Sequence, residues 1–318
     1  MIDLLAMTGA PAQERQTHYL LEDVIRGAQG RPAFPVAVAW PLSAVSFAGA
    51  VEAAEAGIIR PIFVGPEREL KAIAAAIPFD IGTCEVVAAR TEQEAAATAV
   101  ELCCAGRADA LMKGSLHTDV FMHAALKKEA GLRTLRRFSH VFVLEAPLYD
   151  RTLFITDAAI NIYPVLEDKV DIVQNAIDLA HVLGVAQPHV AILSAVETVS
   201  PKITSTIDAA ALCKMADRGQ IAGAILDGPL AFDTAVNAEA ARVKHLKSQV
   251  AGMADIFLVP DLESGNMLAK QLEYLGGARL AGIVLGGAAP IILTSRADSS
   301  ESRVASCAIA SALIAKKE

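Results

Sequence analysis

The sequence predicts an α/β protein built as parallel-sheet α/β/α layers in two lobes, and three observations predict it. From Pro35 onward, short runs of β-branched and small apolar residues alternate with longer segments of helical period. That is the pattern of parallel strands covered by helices on both faces. The 318 residues are 53% hydrophobic, 20% charged and only 5% aromatic, which suits buried Ala, Val and Ile strands and excludes a disordered or collagen-like chain. That length exceeds one ordinary domain of roughly 100–200 residues, so two lobes with a ligand cleft between them are expected.

Taken in order, Glu14–Arg26 reads as an amphipathic helix ahead of the first strand. The strand runs are Val36–Trp40, Pro61–Val64, Cys84–Ala88, Ala110–Lys113, Phe138–Glu145, Thr152–Thr156, His189–Leu193, Gly223–Leu226, Asp255–Val259, Ala281–Leu285 and Ile291–Thr294. Helix starts are marked by Thr91 before an acidic first turn, by Ser200 before Pro201, and by Ser299 or Ser300 ahead of the last helix. Gly57, Gly106, Gly131, Gly184 and Gly219 close helical patterns. No linker or repeat divides the chain.

Several function classes are excluded. A formal charge of −8 gives no reason to hold a polyanion over an extended face, so no nucleic-acid partner is expected. No run of about 18 apolar residues occurs, so no membrane crossing is expected; Met1–Arg15 lacks the pattern of a secretory signal, which makes the cytoplasm the expected location. Five cysteines, with Cys103 and Cys104 adjacent, suit neither a disulfide framework nor a zinc site and read as buried small residues. His117, His123 and His140 have no partner at metal spacing, and no G-x-S-x-G, H-E-x-x-H or G-x-G-x-x-G motif occurs.

Local basic clusters remain for an anionic ligand. Gly286–Ser302 ends a strand in Thr294–Ser295, places Arg296 next, and opens a helix behind it; free backbone N–H groups and a guanidinium suit a phosphate. The same residues also read as a well-capped helix entry. Lys113-Gly114-Ser115 stands at a strand-to-helix turn where glycine admits a close ligand and lysine neutralises it. Arg133, Arg136 and Arg137 form a positive patch, or a solvated basic loop. Ser264-Gly265-Asn266 near a helix start could receive pantetheine or phosphate, or simply make a turn. Asp227-Gly228-Pro229 reads as a turn after a strand, and Asp157 as a strand-end carboxylate or helix cap.

In chain order, Leu111–Ser115, Gly131–Phe142 (G-L-R-T…S-H-V-F), Ile155–Asn161 with Pro164, Asp227–Asp233, Ala254–Lys270 and Gly282–Ser299 (with P-I-I-L-T-S-R-A-D-S) resemble the phosphate acetyltransferase and phosphate butyryltransferase family. The resemblance covers nearly the whole chain from Val36. It implies reversible acyl transfer, foremost acetyl, between coenzyme A and inorganic phosphate, with no bound cofactor and coenzyme A as a substrate. It also implies a fold similar to isocitrate and isopropylmalate dehydrogenases and a homodimer. The lobes would be residues 1–137 with 284–318, and 138–283, the active site lying in the cleft between them. By motif, Ser295 would hydrogen-bond the thiol or oxyanion, Arg296 would hold phosphate, and Arg136 or Arg137 would add a second phosphate contact. Where the acetyltransferases place an aspartate base seven residues after the motif serine, this chain has Ser302; Glu301 or Asp298 is expected to substitute. A dehydrogenase and a non-catalytic acyl-CoA or acyl phosphate binding protein are the competing readings.

Overall fold

Side chains alternate between the two faces of a strand, so the periodicity of the apolar runs decides what each face of the sheet packs against. The structure, a computed structural model, describes residues 20–77, 79–127, 131–295 and 298–316. Its strands are β1 (Phe34–Ala39), β2 (Ile59–Gly65), β3 (Glu85–Ala88), β4 (Ala110–Lys113), β5 (Ser139–Glu145), β6 (Leu153–Thr156), β7 (His189–Leu193), β8 (Ile225–Leu230), β9 (Ile256–Leu258), β10 (Arg279–Leu285) and β11 (Ile291–Ile292). The helices are α1 (Leu20–Gln29), α2 (Ala44–Glu55), α3 (Glu67–Ala75), α4 (Glu92–Cys104), α5 (Thr118–Leu126), α6 (Leu166–Val182), α7 (Thr204–Asp217), α8 (Phe232–Val236), α9 (Ala238–Val243), α10 (Leu262–Tyr274) and α11 (Ser300–Ala315). Every strand run expected from the sequence is present. Of the expected N-terminal helix, residues 14–19 lie outside the described residues.

The strands form one mostly parallel sheet in the order β3-β2-β1-β4-β11-β10-β5-β6-β9-β7-β8. Its centre corrects the expected all-parallel arrangement: β10 runs antiparallel to β11 and β5, and β5 antiparallel to β6. The connections explain this. Residues 146–152 join β5 to β6 and residues 286–290 join β10 to β11, and neither reaches the dozen residues that a parallel crossover needs.

One face carries a continuous core. Val36, Val38, Val141, Val143, Phe154, Ile283 and Ile292 point into it and meet Phe47 of α2, Ile172 and Ile177 of α6, and Ile309 of α11. The other face is split. Ala37, Ala39, Leu111, Val284 and Ile291 pack with Phe121 of α5 in one cluster, while Phe142, Leu144, Ile155 and Phe257 pack with Ala269 of α10 in another. Between these two clusters the sheet is left open to a cavity.

Helix boundaries follow local chemistry. Thr91 and Ser299 cap α4 and α11 through their hydroxyls, as the sequence predicts. Gly57, Gly106, Gly184 and Gly219 follow the C-caps of α2, α4, α6 and α7 with positive φ. Three expectations are corrected. Ser200-Pro201 forms a turn, and α7 starts only at Thr204, whose neighbour Thr206 takes the Ser200 N–H on its hydroxyl at 2.8 Å. Asp227-Gly228-Pro229 lies inside β8, where an edge strand tolerates a residue without an N–H. Only Cys307 is buried, whereas Cys104 is exposed and the others are intermediate, because the apolar faces they sit on end at the rim of the core. Burial still pushes the Cys103, Cys213 and Cys307 thiols up to about 12, so these three offer no thiolate.

Candidate active site

Two strand ends build one wall of the cavity. Lys113 ends β4, and parallel beside it β11 runs out through Leu293 and Thr294 to Ser295. The turn after β4 is stitched to the segment after β1: Gly114 N donates to the Ala39 carbonyl and Ser115 N to the Trp40 carbonyl, both at 2.9 Å, and Ser115 Oγ donates to the Trp40 carbonyl at 2.8 Å. A Cβ at Gly114 would lie 2.4 Å from the Ala39 carbonyl oxygen, so only glycine allows this approach. Trp40 holds a φ of 54°, unusual for so bulky a residue and placed directly beside the turn.

The opposite wall is α10. Asp261 caps it through the Ser264 N–H at 2.8 Å, and Gly265 packs against Val259 and the Asp157 backbone. Asn266 and Lys270, four residues apart and therefore on one face, turn toward β4 and β11. Together Lys113, Leu116, His117, Thr118, Phe142, Ala159, Leu262, Asn266, Lys270, Leu293, Thr294 and Ser295 enclose a cavity of about 420 Å³.

The charges beside this cavity are organised around Asp298, which lies behind its wall and not in its lining. Its carboxylate accepts from the Ser295 N–H at 2.7 Å and from Lys270 Nζ at 3.0 Å, with Asp298 wholly buried and the Lys270 side chain 28% exposed. Lys270 also reaches Glu273 at 2.8 Å and stands 5.9 Å from the centre of the Phe142 ring. Burial works to lower the Lys270 pKa, but the hydrogen bond to Glu273 and the charge of Asp298 together outweigh it; the net direction is up, and the ammonium persists. Lys113 is buried, and its Nζ donates to the Gly114 and Leu116 carbonyls at 3.3 and 3.2 Å.

The structure thus brings Lys113, Asn266 and Ser295 to one cavity, with Gly114 and Ser115 in the adjoining turn and Asp298 buried behind Ser295. Others lie elsewhere. Ser264 is occupied at the α10 cap, its hydroxyl donating to Asp261. Arg136 donates to Asp178 at 3.0 Å, and Arg137 pairs with Asp168 at 2.9 Å and donates to Asn161 at 2.7 Å. Neither lines the cavity, because an acidic stripe on α6 neutralises them first. Arg133 is exposed and bridges to Gly287 through its backbone. Glu301 corrects an expectation: its side chain is 59% exposed and paired with Arg279 at 2.6 Å, outside the cavity lining. Helix α11 turns it outward, while Ser302 stays at the cap with its hydroxyl 3.0 Å from that of Ser299. Arg296 lies outside the described residues. Asp157 is buried and caps no helix; it accepts the Ala159, Ile160 and Asn161 N–H groups at 2.9–3.1 Å, fixing the loop that carries Ala159 into the cavity.

Sequence reasoning missed Lys270. Its position four residues after Asn266 on the same helix was the available signal. Among the described residues, no group of three or more His, Cys, Asp or Glu is placed to hold a metal ion.

Residues 88–311 match the model of the family described as phosphate acetyl/butaryl transferase. The chain belongs to that family. A phosphate acetyltransferase of Rhizobium meliloti is 58% identical over 280 residues, covering 88% of this chain and 89% of its own length. A phosphate butyryltransferase of Clostridium acetobutylicum is 46% identical over 266 residues, covering 84% of this chain and 88% of its own. Among solved structures, a branched-chain phosphotransacylase from Enterococcus faecalis V583 superposes with a TM-score of 0.77 at 30% identity, covering 88% of this chain and 99% of its own.

Proposed function

We propose that the chain catalyses reversible transfer of an acetyl group between coenzyme A and inorganic phosphate. The observation that carries this is that Ser295 and Lys270, which line one cavity of a chain in this family, are joined through hydrogen bonds to the buried Asp298 carboxylate behind them. In the direction that consumes acetyl phosphate, the thiol gives its proton to the Asp298 carboxylate as sulfur attacks the carbonyl carbon. The Ser295 hydroxyl donates to the tetrahedral oxyanion, which such a donor stabilises by about 3 kcal/mol. Collapse breaks the bond from carbon to the phosphate oxygen, and the phosphate leaves with the electron pair onto Lys270, Lys113 and Arg296. Holding both substrates in one cavity supplies much of the remaining acceleration.

The apolar lining of Leu116, Phe142, Leu262 and Leu293 favours butyryl as a second acyl group, since a longer chain has surface to bury there. The finer organisation belongs to the same proposal. Strands β1–β4 with β11 and α11 make one lobe and β5–β9 with most of β10 the other, on a plan similar to the isocitrate dehydrogenase fold, which the split of one core face supports. The enzyme acts as a homodimer in the cytoplasm, where coenzyme A thioesters turn over, and needs no bound cofactor. No helix among the described residues is long and apolar enough to cross a membrane.

The test is to mix the purified protein with acetyl-CoA or butyryl-CoA and follow free thiol. Phosphate-dependent release with acetyl-CoA supports the assignment, faster release with butyryl-CoA moves it to the longer chain, and binding without release from either sinks it.

A further inference from the structure

Arg303 is the largest wholly buried side chain among the described residues, at 1% exposure. It sits in the first turns of α11, directly behind the turn that carries Ser295 and Asp298. Its guanidinium is spent on backbone carbonyls: Nη2 donates to the Ser295 carbonyl at 2.7 Å, and Nη1 to the carbonyls of Asp298 and, at 3.5 Å, Ser299. Nε is buried with no hydrogen-bond partner among the described residues. Burial also pulls its pKa below the ordinary arginine value, with the charge of Asp298 opposing. A cation kept at such a site with no carboxylate paired to it among the described residues packs less favourably than an apolar chain of equal volume. Its presence calls for a purpose other than filling space.

The helix across from it is shaped to admit the side chain. A Cβ at Gly49 of α2 would lie 2.3 Å from Arg303 Cδ, 3.0 Å from Cβ and 3.2 Å from Cγ. A glycine inside a helix is unfavourable in its own right, so two local rules are broken at one contact, as happens where function sets the sequence. The three carbonyls belong to the same short turn whose Ser295 N–H meets the Asp298 carboxylate. Fixing the carbonyls of Ser295 and Asp298 fixes both ends of that bond.

We propose that Arg303 is a positioning residue for acyl transfer, clamping the carbonyls of Ser295, Asp298 and Ser299 so that Ser295 stays at the cavity with its N–H on the Asp298 carboxylate. The inference rests on the proposed acyltransferase function for its kinetic part alone. The clamp itself is a statement about the turn.

The experiment compares wild type with Arg303→Met, Arg303→Lys and Gly49→Ala. Arg303→Met is expected to lower kcat by about 100-fold, the scale of a small misplacement of reacting groups, while the KM for acetyl-CoA stays within about twofold, as loss of transition-state positioning alone requires. Arg303→Lys restores part of the loss, and Gly49→Ala moves kcat in the same direction as Arg303→Met by displacing the side chain. Hydrogen exchange at the Ser295 and Asp298 amides accelerates in Arg303→Met by about tenfold or more, while the amides of Ala305–Ala310 keep their protection. A folded Arg303→Met protein with unchanged kcat and unchanged exchange overturns the proposal. So does acceleration spread evenly along α11, which marks a merely structural role. If wild type releases no thiol, the acyltransferase reading fails, and the exchange comparison still decides the clamp.

Discussion

Lys270 Nζ lies 3.0 Å from Asp298 Oδ1, across the gap between α10 and the turn that precedes α11. The pair ties the two walls of the cavity together and leaves the carboxylate with no exposure. Removing the ammonium strands a buried charge. Lys270→Met is therefore expected to cost about 1–3 kcal/mol, less than a fully buried pair because Lys270 is partly solvated and screened. Urea denaturation measures it. The double variant Lys270→Met/Asp298→Asn should recover most of that loss, since neither charge remains; additive losses would show that the two residues do not interact.

His140 is wholly buried in β5, and its ring packs edge-on to Phe142 at 4.4 Å. Burial lowers its pKa, while the charges of Asp157 and Asp298 oppose that shift. The folded chain thus holds a neutral imidazole at a pH where the unfolded chain, with a pKa of about 6.5, takes up a proton. Above about pH 6.5 the two states bind equally and stability is flat in this group. Below it the unfolded state binds more protons, and stability falls with acidification by up to about 1.4 kcal/mol per pH unit until the folded pKa is reached. Thermal melts of wild type and His140→Phe across that range should diverge below about pH 6.5, with the variant less acid-sensitive. Parallel curves would show that His140 does not titrate in this way.

Gly114→Ala is expected to destabilise by about 1–3 kcal/mol, the range for forcing extra volume into packed structure. The added methyl meets two backbone carbonyl oxygens, Ala39 at 2.4 Å and Trp40 at 2.6 Å, rather than a side-chain end that could move. A denaturant midpoint equal to wild type would mean that the turn after β4 has slack.

The strands were legible because runs such as Val36–Trp40 and Ala281–Leu285 are apolar on both faces, whatever their neighbours do. For the same reason their direction was not. A strand buried on both sides reads alike in parallel and antiparallel pairing, so only the short connections around β5 and β10 carry that information. At the site, the turn residues Lys113–Ser115 and Ser295–Asp298 stood out through glycine, hydroxyl and charge beside strand ends. Lys270 and Arg303 did not, because a charged residue on a helix reads as solvent-facing until packing shows otherwise. Arg136 and Arg137 stood out in the opposite direction: Asp178 and Asp168 of α6, which pair with them, are distant in sequence.

The proton acceptor can be decided between two carboxylates three residues apart. Glu301 is held outward by Arg279, which also meets Glu22 at 2.9 Å, and both lie on the outer side of α11 and α1. An exposed pair of this kind contributes about 0–1 kcal/mol, so Glu301→Gln should leave both stability and turnover within about twofold of wild type. Asp298 touches Ser295 and Lys270, so Asp298→Asn should lower kcat by about 100-fold or more, the scale of a lost general base. Initial rates for both variants over roughly pH 6–9 make the comparison. A loss of that size in Asp298→Asn alone assigns the base to the buried carboxylate, whereas the same loss in Glu301→Gln would require α11 to rotate Glu301 into the cavity when substrate binds.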